Sequence, residues 1–160
     1  MRESSRTLVL ATAAVAVIIA GCAVEYIPNT TIEDTEGNRR IVEFCERYRH
    51  AVEDMNVGLL LSMASPRYFD NSGTSTNDDD FDRAGLEEVL NDRFRDVDSV
   101  RYEIRYRDIY EQDGLIHVEY TYTMSFQYTV DGETKWSNKT ADNQLELQPV
   151  EDGYLIVTGM

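Results

Sequence analysis

A change of hydrophobic period near residue 100 constrains the fold of this chain more than any other feature. Before it, apolar residues recur every three or four positions; after it, they alternate with polar ones through Val100–Arg107 and Ile116–Val130. A period near 3.6 gives one apolar stripe on a helix, whereas a period of two sends successive side chains to opposite faces of a strand. The chain is therefore predicted to fold as helices followed by a sheet.

Three helices are predicted before the change of period. The first has an amphipathic pattern whose apolar stripe consists of Ile41, Phe44, Cys45, Tyr48, Val52 and Met55. The second is short, begins after Asn56 as N-cap and must end before Pro66, because the residue preceding a proline is pushed out of the helical region. The third is expected from about Arg83 to Asp96, with Asp82 as its N-cap.

A meander of antiparallel strands is predicted after residue 100. Turn signals at Glu111–Gly114, Asp131-Gly132 and Asp152-Gly153 separate the strands. Three helices followed by such a meander indicate an α+β domain in which the helices cover one face of an antiparallel sheet.

In the strand predicted from Lys135 to Gln148, the apolar residues do not all fall on the same face of the sheet. If Trp136 points toward the core, a β-bulge is needed before Leu145 and Leu147 can also point inward. Without a bulge Lys139 would face inward instead. We favour the bulge, which places Asp142 on the inner face.

The N-terminus has the layout of a secretory signal. Arg2 and Arg6 precede an uncharged apolar run from Leu8 to Ala20, which at about 13 residues is shorter than the roughly 20 that a membrane-spanning helix needs. Ile19-Ala20-Gly21-Cys22 resembles the bacterial lipobox. The resemblance implies a signal peptide at residues 1–21 and a lipidated Cys22 that anchors the protein to a membrane of the bacterial cell envelope.

The residues that follow Cys22 complete this expectation. Ala23 stands where an aspartate would favour retention in the inner membrane, so the outer membrane is preferred. Residues 22–37 are polar and aperiodic and are predicted to form a tether, and residues 38–160 the folded domain. Lipidation of Cys22 would leave Cys45 as the remaining thiol, expected to be buried on the first helix.

Composition excludes some classes of function. Fifteen Lys and Arg against thirty Asp and Glu give a net charge of −15, which disfavours nucleic acids and anionic lipid headgroups as partners. The acidic surface is consistent either with binding to a partner or with adaptation to a salty habitat. No metal-ligand cluster, nucleophile motif or phosphate loop is visible, so neither a metal nor another cofactor is predicted.

The predicted order of elements resembles the nuclear transport factor 2-like, or ketosteroid-isomerase-like, domain. The resemblance covers roughly Glu36 to Met160 and rests on IVEFCERYRHAVEDMN, LLLSMASPRYF, FDRAGLEEVL and the ending NQLELQPVEDGYLIVTGM. It implies a strongly curved, cone-like sheet with a pocket between the first helix and its concave face, and a homodimer through the outer face. Strand parity gives these candidate lining residues: Phe44, Tyr48, Tyr102, Tyr106, Tyr120, Tyr122, Met124 and Trp136.

Two classes of function remain open at this level. The preferred one is a small-ligand-binding or protein-interaction module, and the tyrosine-rich inner face fits either a filled core or a pocket for a small apolar or amphipathic molecule. The alternative is an isomerase-like or dehydratase-like enzyme. In it Asp142, or Asp108 continuing the inward parity of Tyr106, would act as general base while a tyrosine hydroxyl stabilises an oxyanion.

Overall fold

The computed structural model describes residues 24–71 and 80–160, so the predicted signal peptide and Cys22 lie outside the described residues. Three helices precede a four-stranded antiparallel sheet of order β3-β4-β5-β6, as predicted. The elements are α1 Glu36–Glu53, α2 Val57–Met63, β1 Phe69–Asp70, β2 Phe81–Asp82, α3 Leu86–Phe94, β3 Ser99–Gln112, β4 Leu115–Val130, β5 Glu133–Val150 and β6 Gly153–Thr158. The strands β1 and β2 form a separate two-stranded pair.

Local capping explains where the helices begin. The Thr35 side chain accepts a hydrogen bond from the Asn38 amide at the start of α1, and the Asn56 side chain accepts one from Leu59 at the start of α2. The prediction for α3 was wrong at its N-terminus. Asp82 belongs to β2 and its carboxylate accepts from the amides of Ala84 and Gly85, which forms a turn, so the helix starts three residues later than expected.

The sheet buries its helix-covered face against α1 and α2. Leu145 and Leu147 of β5, Val118 and Tyr120 of β4 and Ile156 of β6 are completely buried there. The two long hairpins turn at Asp113-Gly114 and Asp131-Gly132, where all four residues have positive φ, between 54° and 80°. Such turns match the twist of paired strands, so the hairpins keep the inner faces of three strands aligned.

A β-bulge in β3 overturns the prediction for Asp108. Tyr106 lies opposite Tyr120, but Asp108 already lies opposite Glu119, so Arg107 is an extra residue in β3. The extra residue inverts the parity of the strand. Asp108 is therefore exposed, and its carboxylate accepts a hydrogen bond from the neighbouring Ile109 amide.

The bulge predicted in β5 is absent from its pairing with β4. The register runs without a shift from Val130 opposite Glu133 to Ile116 opposite Leu147; the irregularity lies instead between β5 and β6, at Glu146 and Leu147. Trp136 therefore points outward and is 59% exposed. Lys139 takes the inward parity, which costs little because its aliphatic stem can lie along apolar surface while the ammonium stays in water.

The segment predicted as a tether is folded from its first described residues. Tyr26 forms a bridge with Glu33, and Ile32 is only 4% exposed in the core. The Thr31 hydroxyl donates to the main-chain carbonyl of Arg107 in β3, at 3.3 Å. The core contact of Ile32 supplies the apolar burial that a free linker would lack, so residues 24–35 belong to the domain. Across the described ranges, no helix combines the length and hydropathy needed to cross a bilayer.

An ion-pair network fastens α1 to the free edge of β3. Arg49 pairs with Glu46 at 2.6 Å and with Glu53 at 2.7 Å, and also donates to the Tyr102 carbonyl. Glu53 accepts from the Tyr102 amide at 3.0 Å, and Glu46 from the Tyr106 hydroxyl at 2.8 Å. These contacts satisfy main-chain groups that an edge strand leaves unpaired. They hold α1 over the concave face of the sheet.

Candidate functional site

A cavity of about 830 Å³ lies on the inner face of the sheet. Its walls come from α1, α3 and the long strands, and its floor from the segment at Gly159 and Met160. The apolar part of the lining includes Tyr48, Val52, Leu90, Phe94, Val97, Val100, Tyr102, Tyr122, Met124, Phe126 and Ala141. Most cavities that take small organic ligands have a comparable volume and a mostly apolar wall.

Three tyrosine hydroxyls converge below the cavity, and we call Tyr48, Tyr102 and Tyr120 the tyrosine cluster. Burial raises the pKa of Tyr48 to about 12, and burial also raises the pKa values of Tyr102 and Tyr120 far above their usual range. Hydrogen-bond interactions among the three hydroxyls modify these shifts. The cluster is therefore neutral at physiological pH, and each hydroxyl keeps a proton to donate.

A second polar group lies at the floor. The Asn143 side chain donates to the Tyr120 hydroxyl and to the Gly159 carbonyl, both at 2.9 Å. The Asp70 carboxylate accepts from the Gly159 amide at 3.1 Å and from the Tyr68 hydroxyl at 3.0 Å. Gly159 thus connects β5 with β1, so the floor depends on the position of this one residue.

Two basic side chains contribute to the lining. Lys139 lies opposite Met124, with its Nζ 5.8 Å from the centre of the Tyr122 ring. Arg93 extends from α3, and its guanidinium donates to the Met160 carbonyl at 3.1 Å. An aromatic ring attracts a cation electrostatically, so a charged side chain can lie against an apolar surface formed by such rings. The cavity thus combines an apolar wall with positive charge.

The structure sorts the eight predicted lining residues into three groups. Those that line the cavity are Tyr48, Tyr102, Tyr122 and Met124. Phe44, Tyr106 and Tyr120 are buried but do not reach it: Phe44 packs edge-on against Tyr154, Tyr106 donates to Glu46, and Tyr120 lies under the floor. Trp136 was predicted wrongly, since it lies on the outer face opposite Gln127.

Both carboxylates predicted as general bases point away from the cavity interior. Asp142 accepts from the Thr121 hydroxyl at 2.7 Å and pairs with Arg107, both on the outer face. The hydrogen bond from Thr121, followed by the contacts with Arg107, lowers its pKa, which is opposite to what a general base at neutral pH requires. Asp108 is exposed beyond the bulge. Asp108 therefore lies outside the cavity, and Asp142 belongs to its lining but directs its carboxylate to Thr121 and Arg107 on the outer face.

Sequence reasoning missed four residues of the site. Asp70 and Arg93 were not predicted as site residues, since no motif or strand parity in the sequence assigns them to the cavity. Lys139 was predicted to face inward only in the arrangement without a bulge, and that arrangement is the observed one. Asn143 follows the same parity. Strand parity without a bulge in β5 was the one sequence signal that could have predicted Lys139 and Asn143 as site residues.

No group of three or more His, Cys, Asp or Glu side chains is placed to hold a metal ion within residues 24–71 and 80–160. The polar groups of the lining include the hydroxyls of Tyr48 and Tyr102, the Asn143 and Gln144 amides, the carboxylates of Asp70, Asp142 and Glu146, and the cations Lys139 and Arg93. Such a set can bind and orient an organic molecule.

Comparisons with known proteins identify the fold. No protein-family model matches the sequence, and no curated protein matches it. Among solved structures, Kfla4162 from Kribbella flavida has a TM-score of 0.64 at 13% identity, over 79% of this chain and 90% of that one. ActVI-ORFA from Streptomyces coelicolor has a TM-score of 0.62 at 14% identity, over 78% and 95%. Aln2 from a Streptomyces species has a TM-score of 0.60 at 14% identity, over 79% and 90%. Three helices on a curved antiparallel sheet, shared with these structures, give the chain the nuclear transport factor 2-like fold.

Proposed function

We propose that this protein is a membrane-anchored module that binds one small amphipathic molecule in the cavity on the inner face of its sheet. The observation that supports the proposal is the cavity itself: about 830 Å³ with aromatic walls. The cavity opens to solvent, with Arg93 and Lys139 exposed, so a small molecule can reach its aromatic wall. Burial of an apolar ligand there would stabilise the complex by about 25 cal/mol for each Å² removed from water.

The test fills the cavity without altering the core. Ala141 lines the cavity, and its neighbour Thr140 lies on the outer face beside Thr123. We expect Ala141→Trp to occupy the ligand space and Thr140→Trp to leave it open. The probe is N-phenyl-1-naphthylamine, a neutral dye that fluoresces in apolar surroundings, titrated into the chain that begins at Ala23.

The expected result is saturable one-to-one binding by the natural chain and by Thr140→Trp. Ala141→Trp should bind at least about tenfold more weakly, since the dye would have to displace the indole. Equal binding by Ala141→Trp and Thr140→Trp would place the dye elsewhere and would contradict the proposal.

The membrane anchor is the second part of the proposal. It is supported by the similarity of Ile19–Cys22 to a lipobox and by the complete burial of Cys45, which makes that thiol unsuitable for modification in the folded domain. Cys22→Ala should leave an unprocessed precursor by mass spectrometry, whereas Cys45→Ala should be processed normally. Normal processing of Cys22→Ala would disprove the anchor. Ala23→Asp should shift the protein from the outer to the inner membrane in fractionated cells.

An enzymatic function is the second candidate, and it now depends on Asp70. This carboxylate lines the cavity next to the buried Tyr68, whose hydroxyl donates to it. An isomerase-like or dehydratase-like step would use Asp70 to take a proton from an apolar ketone. Exchange of the ketone's α-hydrogens for deuterium, followed by NMR, tests this step. Exchange at the uncatalysed rate would leave binding as the function, and accelerated exchange that Asp70→Asn does not slow would refute Asp70 as the base.

A further inference from the structure

We infer that the ligand of this cavity is an apolar acid: a molecule with one carboxylate group and an apolar body, whose charged end is held by Lys139, while Arg93 adds a second positive charge to the lining. The inference deepens the proposed binding function and rests on it. Its basis is the placement of these two cations beside the aromatic and aliphatic part of the lining.

Lys139 is the first of the two cations. Its parity in β5 directs it to the inner face, and its Nζ lies 5.8 Å from the Tyr122 ring centre. It forms no ion pair with a carboxylate of any residue in the described ranges. An ammonium group at the cavity that lacks a carboxylate partner in the fold is available to one on a ligand.

Arg93 is the second cation. It extends from α3 and makes one hydrogen bond among the residues that the structure describes, to the Met160 carbonyl at 3.1 Å. Its guanidinium also lies 5.9 Å from the Phe81 ring centre. A guanidinium carries five N–H donors, so further donors remain for a ligand. The charge of Arg93 acts on the cavity wall, because it opposes the burial effect that raises the pKa of Tyr48.

The carboxylates near the cavity already have partners within the fold. Asp70 accepts from Tyr68 and Gly159, and Asp142 is paired with Thr121 and Arg107 on the outer face. Glu146 also lies on the outer face, 3.7 Å from His117. Because the charge of Asp142 is balanced by Arg107, this carboxylate does not offset the charge of Lys139, whereas Asp70 keeps its negative charge at the opposite end of the lining, beside Gly159.

The charge of the whole chain narrows the ligand further. A net charge of −15 repels polyanions over long distances, so nucleotides and polyphosphates are disfavoured. A monoanion meets the smallest long-range repulsion while still gaining charge-assisted hydrogen bonds at close range. The apolar wall then selects for a hydrophobic body. An apolar monocarboxylate satisfies all three conditions.

The experiment compares two probes of the same shape, 2-naphthoate and its neutral amide, 2-naphthamide. The full chain is reconstituted into phosphatidylcholine nanodiscs, with empty nanodiscs as blank, and affinities are measured by ligand-observed NMR at pH 7. We expect the natural protein to bind the acid about tenfold more tightly than the amide, the gain typical of one charge-assisted hydrogen bond.

Variants locate the anion-binding group. Lys139→Met should weaken naphthoate binding about tenfold and change naphthamide binding less than twofold. Lys135→Met is the matched control, because it removes the same charge four residues earlier in β5, outside the lining, and should change neither affinity. Lys139 is exposed, so its replacement should not impair folding, which the thermal unfolding midpoint checks.

Each other outcome overturns a specific step. Equal affinity of the natural protein for acid and amide would refute the acid preference and leave the binding function standing. Equal losses in Lys139→Met and Lys135→Met would show a general charge effect and refute the assignment of Lys139. Failure of both probes, together with failure of the neutral dye, would refute the binding function itself.

Discussion

Among the described glycines with positive φ, Gly159 is the one whose replacement by alanine should destabilise the protein most. Gly159 has a φ of 97°, in the left-handed region that L-residues avoid. A Cβ built there overlaps the main-chain carbonyl oxygen of Gln144 and lies 3.0 Å from its carbonyl carbon and 3.3 Å from the Leu145 Cα. These atoms belong to the backbone of β5, which cannot move aside as a flexible side chain would.

The magnitude follows from three contributions. The left-handed conformation costs an alanine about 1 to 2 kcal/mol. Relief of the overlap requires a backbone shift, which typically costs about 1 to 3 kcal/mol. The shift would also weaken the hydrogen bonds of Gly159 with Asp70 and Asn143, at about 1 kcal/mol each. The expected loss in the free energy of unfolding is about 4 to 7 kcal/mol, a large part of the stability of a domain of this size.

Gly132→Ala is the matched control. Gly132 also has a positive φ, of 80°, but no atom lies within 4 Å of the added Cβ. Its expected loss is therefore the conformational cost alone, about 1 kcal/mol. The assay is urea unfolding of the chain that begins at Ala23, followed by circular dichroism. Equal losses for the two variants would refute the claim that Gly159 is held by a close backbone approach.

Three further predictions concern the ion pairs, the buried ionisable groups and the outer face. Arg49→Met should lower the free energy of unfolding by about 2 kcal/mol, because the Arg49 side chain is only 18% exposed and joins two carboxylates. Arg40→Met is the control: its side chain is 65% exposed, so the change should be less than about 0.5 kcal/mol. Equal changes in the two variants would contradict a stabilising network around Arg49. Burial raises the pKa values of Cys45 and of the tyrosine cluster, so these groups lose their protons at lower pH in the unfolded state than in the folded state. The free energy of unfolding should therefore fall above about pH 8.5, where an unfolded thiol ionises, and more steeply above about pH 10, where unfolded tyrosines do. A constant free energy of unfolding from pH 8 to pH 11, measured by urea unfolding, would contradict the burial of these groups. Sedimentation velocity should detect a homodimer formed through the outer face, which Thr123→Arg should dissociate; a natural chain that stays monomeric at micromolar concentrations would contradict it.

The sequence determined the class of fold because periodicity is a local property. The Asn56 cap and the two Asp-Gly turns each depend on residues close together in the chain and appear as predicted. The stripe of α1 does so too, except at Met55, which lies beyond the end of the helix at Glu53 with a φ of 50°. The alternating residues Tyr102 to Tyr106, before the bulge in β3, and those of β4 up to Met124 were also assigned to the correct face. Of the predicted lining, Tyr102, Tyr122 and Met124 followed from strand parity, and Tyr48 from the helical stripe of α1.

The tertiary structure decided what local patterns leave undetermined, namely register and bulges. One extra residue at Arg107 moved Asp108 to solvent, and the absence of a bulge in β5 turned Asp142 and Trp136 outward and Lys139 inward. A shift of one residue exchanges the two faces of a strand, and the pairing energy of the whole sheet decides where such shifts occur. Asp70 and Arg93 joined the site for a related reason: they meet the Gly159–Met160 segment only after β6 has paired with β5, a contact between parts of the chain about 70 to 90 residues apart.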